Sequence, residues 1–207
     1  FCLKDLVMYK TLCILTFSLT LIACSATPVK VDTQNDEAPT VMGLDYRDFE
    51  EAAAALVQSI LESGVVVQPD GSRYVLVISR ITNDTMLHID TDQLVKKIRV
   101  ALLKSGKVIV TTAMSANGAE DAMSYQAREL RGDDEFDQSR VAGKGSLVAP
   151  DLSLSGKIIQ RNNKMNSRTT QVDYLFQMTL TDIETGLAFW EDEVPIVKRG
   201  SSKTVSW

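Results

Sequence analysis

Apolar positions recur along this chain in two rhythms, and the change of rhythm divides it. From Asp45 onward, Phe49, Ala52, Ala53, Leu56, Val57, Ile60 and Leu61 return at the spacing of one helical face. Asp45 can accept the first free amides, Asp48 sits in the first turn where the helix dipole favours a carboxylate, and Gly64 supplies the stop. A second helix is expected from Asp90 or Thr91 to Gly106, with Leu94, Val95, Ile98, Ala101 and Leu102 as its stripe. Between the two helices, after the Pro69-Asp70-Gly71 turn, 74–78 (YVLVI) is a continuous β-branched and apolar run. That is the mark of a central strand buried on both faces, and Asn83-Asp84-Thr85 reads as the polar loop beyond it. Residues 107–112 (KVIVTT) read as the next strand. Strand, helix, strand is the order of a βαβ unit with parallel strands.

The rhythm then loosens. Residues 119–130 fit a third helix with Ala122, Met123, Gln126 and Leu130 on one side; 131–140 is a charged stretch, and 141–150 a loop or short helix. The last third changes to period two. Leu152, Leu154, Gly156 and Ile158 alternate with polar residues, Val172, Tyr174, Phe176, Met178 and Leu180 alternate with Asp173, Gln177 and Thr179, and the turn Glu184-Thr185-Gly186 leads into 187–194. Alternation places one face in a core and one in water. The expected fold is α/β (α+β): one small domain, 42–207, with a mixed sheet of about four to five strands. In it a βαβ unit precedes an antiparallel meander, and helices cover one face of the sheet or both.

The N-terminus carries a different pattern. Tyr9-Lys10 precedes the apolar run 11–23 (TLCILTFSLTLIA), which falls short of the about 20 residues a helix needs to cross roughly 30 Å of hydrocarbon. A positive flank and a short apolar run form a signal peptide, 1–23, with Met8 the natural start. The run ends in Leu21-Ile22-Ala23-Cys24, which resembles the bacterial lipobox. A thiol is what accepts the diacylglyceryl group, and cleavage frees the amine for a further acyl chain; two or more chains anchor stably where one does not. The alternative is an ordinary signal peptide with a chance cysteine near its end. In enteric lipoproteins an Asp after the cysteine retains the protein at the inner membrane, so Ser25 points to the outer membrane. Residues 24–41, polar and with Pro28 and Pro39, read as a flexible tether.

Composition narrows the function classes. The chain has 207 residues and a formal net charge of −5, whereas a nucleic-acid footprint calls for a basic balance. Cys2, Cys13 and Cys24 are its cysteines, so the domain has neither a disulfide nor a thiolate metal site. His88 is the single histidine, which excludes a His-pair metal site and leaves one residue for any Ser-His-Asp arrangement. No nucleophile–base set is visible, and no cofactor or metal is expected.

Several motifs have a functional reading beside a plain one. Gly143-Lys144-Gly145-Ser146 lacks the upstream glycine of a phosphate loop, since Gln138 stands there, and reads as a loop. Arg131-Gly132-Asp133 matches an adhesion tripeptide that arises readily by chance. The acidic cluster Asp133, Asp134, Glu135 and Asp137 lacks the glycine and distal glutamate of a calcium loop and reads as solvated. The basic residues Lys157, Arg161, Lys164 and Arg168 form either an edge-protecting turn or a docking patch. Asn83, Asp84 and Thr85 are either a side-chain-bonded turn or part of the same docking surface.

The order of elements resembles one known family. An apolar strand ending in Asn83-Asp84-Thr85, a helix over 92–105, the strand KVIVTT, and a terminal hairpin with Glu184-Thr185-Gly186 and Phe189-Trp190 together resemble the penicillin-binding protein activator LpoB family, over 73–197. The resemblance implies an outer-membrane lipoprotein on the periplasmic face, fixed through Cys24, that binds and activates a class A penicillin-binding protein. It implies no catalysis by the chain itself. Asn83, Asp84, Thr85, Arg161, Lys164 and Arg168 are the candidate partner contacts. A monomeric domain fits this role; oligomerisation would favour the alternative, a structural or assembly lipoprotein of a secretion or surface-fibre complex. An envelope hydrolase built around His88 is the third. The enterobacterial family members carry a long Pro-rich tether, and this one is short: fully extended it reaches roughly 65–70 Å, and as a relaxed coil about 25 Å. Either the partner's regulatory domain stands tall, or the periplasm is thin, or the partner differs.

Overall fold

A computed structural model describes residues 40–116 and 118–204. The signal segment, Cys24, Ser25 and most of the tether lie outside the described residues. In chain order the elements are α1 (Tyr46–Ser63), β1 (Val75–Asp84), α2 (Thr91–Ser105), β2 (Ile109–Val110), α3 (Met123–Glu129), β3 (Leu152–Lys164), β4 (Thr169–Asp182) and β5 (Ala188–Ser201).

The strands form one five-stranded mixed sheet in the order β2-β1-β3-β4-β5. β1 lies parallel to both β2 and β3, and β3, β4 and β5 run as an antiparallel meander. The helices begin and end where the caps dictate. Asp45 accepts from the amides of Arg47 and Asp48 while the Asp48 carboxylate accepts from the Asp45 amide, a reciprocal capping box, and Gly64 closes α1 at φ 75°. Asp90 caps α2 through the Asp92 amide, and Gly106 closes it at φ 67°.

The core lies between α1, α2 and one face of the sheet. Phe49, Leu56 and Ile60 of α1 and Leu94, Ile98 and Leu102 of α2 meet Leu76, Ile78, Leu152, Leu154, Ile158, Tyr174, Phe176 and Leu180 of the strands. Phe49 and Phe176 stack edge to face at 5.9 Å. Gly156 of β3 faces Met178 of β4, and a Cβ there would stand 2.5 Å from the Gln177 carbonyl oxygen. The helices therefore cover one face, and the outward residues of β3 to β5 form an open face.

The chain enters the domain through a clamp on β5. The Lys198 ammonium, buried, donates to the Asp48 carboxylate at 2.6 Å and to the Gly43 carbonyl at 2.8 Å. The Tyr174 hydroxyl donates to the Met42 carbonyl at 3.1 Å, and Gly200 leaves room for the Met42 thioether. Burial and the Asp48 charge push the Tyr174 phenol above its usual value. Partial burial raises the Asp45 carboxyl, but hydrogen bonds from Arg47 and the Lys198 charge outweigh this and hold it below the ordinary value.

Three sequence expectations are corrected. The first strand runs to Asp84 rather than Ile78, because β3 pairs with it as far as Asp84↔Ile159 and carries Asn83 and Asp84 into the sheet. Ile78 to Ile81 lies opposite Leu154 to Gly156, one extra residue on β1, so the bulge returns Ile81 to the buried side. Conversely, 107–112 shrinks to Ile109–Val110. The Thr112 carbonyl receives the Glu120 and Asp121 amides, which turns the chain away from the sheet. The helix expected over 119–130 contracts to Met123–Glu129, with no buried residue and no side-chain cap; a short helix without a packed face has little to hold it. Residues 141–150, expected as a loop or short helix, form turns.

Candidate functional site

The sheet brings the sequence-predicted residues to one end of the domain. In register, Asp84 lies beside Ile159, two residues before Arg161 on β3. Asn83 and Thr85 prove to be turn-formers. The Asn83 amide donates to the Leu87 carbonyl at 2.8 Å and its oxygen accepts the Thr85 hydroxyl at 2.7 Å, while the Leu87 amide donates to Thr85 Oγ1 at 3.1 Å. This small network holds the chain as it passes from β1 to α2. Asp84 alone of the three shares the open face with Ile159 and pairs with Lys157 at 2.6 Å. The Met86 amide ties the loop to β3 through Gln160 Oε1 at 3.1 Å.

Arg161, Lys164 and Arg168 are exposed, and none forms an ion pair among the described residues. Asn166 shapes the β3–β4 turn by accepting the Arg168 and Thr169 amides, each at 2.9 Å. The Arg168 carbonyl accepts the Ser202 amide at 2.9 Å, which binds the turn to the end of β5. Arg161 stands opposite Asp173 in the register, yet the Asp173 carboxylate is taken by Asn163 at 2.6 Å and Gln171 at 2.8 Å. The guanidinium is thus left for another partner.

Two features escaped the sequence reading. Ile159, Leu175 and Pro195 line up across three strands on the open face, bordered by Gln177, which donates to Glu193 at 2.7 Å. An apolar Leu175 in the wet phase of β4 was the available signal. The second feature is a cleft of about 850 Å³ beside β1 and α2, lined by residues that include Arg80, His88, Asp90, Lys96, Arg99 and Glu120. It opens near the C-terminal end of β1 and the start of α2, where parallel α/β arrangements place their ligands. The β1 bulge sets Arg80 on its wall. Arg99 is 5% exposed and ion-paired with Glu120. It falls one turn from Val95 and Leu102, on the flank of the apolar stripe, so its burial was legible in the helical spacing.

His88 is exposed on the cleft wall. Among the described residues no group of three or more His, Cys, Asp or Glu is placed to hold a metal ion. Gly143 to Ser146 form a turn in which the Ser146 hydroxyl donates to the Gly143 carbonyl at 2.9 Å. No described helix is long and apolar enough to cross a membrane.

The fold and its surfaces define an α+β domain with helices on one face of a mixed sheet, the other face open, and a charged cleft at the end of its βαβ unit. The family model described as peptidoglycan-synthase activator LpoB matches residues 48–196. The chain therefore belongs to the LpoB family, a family of regulatory activators. Among solved structures it is similar to the LpoB C-terminal domain from Salmonella enterica, with 17% identity, 72% of this chain and 98% of that chain covered, and a TM-score of 0.42. The LpoB C-terminal domain from Escherichia coli shares 16% identity over 73% of this chain and 99% of its own, with a TM-score of 0.44. Lipoprotein GNA1162 from Neisseria meningitidis shares 12% identity over 64% and 87%, with a TM-score of 0.32. No curated protein matches the chain.

Proposed function

We propose that this chain is an outer-membrane lipoprotein, anchored on the periplasmic face through Cys24, that binds a class A penicillin-binding protein and stimulates its glycan polymerisation and cross-linking. The family match over residues 48–196 carries this reading. Arg161, Lys164 and Arg168 form the basic part of the docking surface and Asp84 its acidic member, while Asn83 and Thr85 hold the adjoining loop in shape. Activation follows if the lipoprotein binds the synthase's active conformation more tightly than its resting one. The domain acts as a monomer.

The decisive experiment measures glycan-strand synthesis by the cognate synthase with and without the mature chain. A rate that rises several-fold and saturates with added chain supports the proposal; an unchanged rate with no binding sinks it. The anchor has its own test: Cys24→Ala should release the protein from membranes and lower its mass by the lost acyl groups.

A further inference from the structure

Arg99 is a costly residue for α2 to bury. Its side chain is 7% exposed, and its Nε is sealed from solvent with no hydrogen-bond partner among the described residues. An apolar side chain of similar volume commonly serves stability as well or better than a buried ion pair, so the pair has no evident structural advantage. Among the described residues the carboxylate on Arg99 is that of Glu120, whose own side chain is 39% exposed. Glu120 lies in no regular element: it stands between β2 and α3, where its amide donates to the Thr112 carbonyl.

The cleft lining sets Arg80, Lys96 and Arg99 against Asp90, Asp92 and Glu120. Arg80 and Lys96 on its wall are exposed and form no ion pair among the described residues. Asp90 directs its carboxylate at the Asp92 amide, and both acids sit at the start of α2, where the helix dipole suits them. With Glu120 moved aside, three cations would stand against two acids around a cavity of about 850 Å³.

We propose that Glu120 is a place-holder, and that an acidic side chain of the synthase takes its position on Arg99 when the two proteins dock. This inference rests on the reading of the chain as a synthase-binding module. An exchange of carboxylates suits a buried arginine. Arg99 keeps a partner in both states, so docking does not pass through an uncompensated buried charge, the state that costs most. Glu120 returns to water, and Arg80 and Lys96 guide the incoming acid.

The two halves of the pair then respond to mutation with opposite signs. Affinity of the mature chain for the synthase is measured by calorimetry, and folding of each variant by thermal unfolding. Glu120→Gln removes the competitor and should tighten binding about fivefold. Arg99→Met should weaken it tenfold or more. Lys96→Glu, at an exposed site that leaves folding intact, should weaken it several-fold and flatten the salt dependence of binding, which keeps the test valid if Arg99→Met unfolds. A purely structural pair predicts otherwise: both Arg99 and Glu120 variants lose stability and neither gains affinity. Wild-type binding that Glu120→Gln leaves unchanged or weaker overturns this proposal alone. Absence of any binding by the wild type overturns it together with the proposed function.

Discussion

The meander and the segment between β2 and β3 solve the problem of order in opposite ways. In β4 every second residue from Thr170 to Leu180 is buried, and the strand is hydrogen-bonded on both sides. Among the described residues of 111–151 the one regular element is the seven-residue α3, with no buried residue, and Met123, Tyr125, Phe136 and Val148 are exposed. What holds this segment is polar. Arg131 donates to the Ala142 and Gly143 carbonyls at 2.7 and 2.8 Å, and the Gln138 amide donates to the Leu130, Asp133 and Phe136 carbonyls. Packing makes the meander part of the global folding unit, whereas exposed hydrogen bonds, each worth about 0.5–1.5 kcal/mol net, leave the other segment free to open locally. Glu120 belongs to the second region and Arg99 to the packed helix α2, so their ion pair spans rigid and yielding parts of the molecule.

The largest effect should come from emptying the core. Phe176→Ala removes a ring packed against Phe49 and should cost about 3–5 kcal/mol in denaturant unfolding; a loss below about 1 kcal/mol would show that the meander is not the stable half. A smaller effect is expected at the clamp. Tyr174→Phe forfeits the bond to Met42 and should cost about 0.5–1.5 kcal/mol at neutral pH. Its pH dependence sharpens the point. Burial and the Asp48 charge raise the folded-state pKa above the ordinary tyrosine value of about 10, so the neutral phenol's contribution is fully present below that value. It is lost as pH rises through the higher folded value. Unfolding midpoints should therefore fall at alkaline pH in the wild type and fall less in Tyr174→Phe. The smallest global effect belongs to Arg131→Ala, within about 0.5 kcal/mol in overall unfolding. Amide exchange across 131–146 should nevertheless quicken while that of β4 stays the same; equal quickening in both would erase the distinction between the regions.

The legible parts were those governed by local chemistry. Asp45 with Gly64 and Asp90 with Gly106 marked both long helices, because capping acts between residues close in sequence. Alternation through Val172, Tyr174, Phe176, Met178 and Leu180 named the buried face of β4 correctly. Of the candidate contacts, Arg161, Lys164 and Arg168 were recognisable as an exposed basic group, but that Arg161 forms no ion pair among the described residues depends on Asn163 and Gln171 taking the Asp173 carboxylate opposite it. Asn83 and Thr85 behave as their turn chemistry suggests, and Asp84 is separated from them by a register that places it on the opposite face.

Sequence alone therefore determined the two long helices, their ends and the buried face of the period-two meander, since each depends on neighbours a few residues apart. Tertiary structure decided where β1 and β2 end, which helix has a surface to bury, and how Arg80, Lys96, Arg99 and Glu120 converge on one cleft. Those outcomes depend on which distant segment supplies a hydrogen-bond edge, an apolar face or a counter-charge, and pairing across tens of residues leaves no periodic trace in the chain.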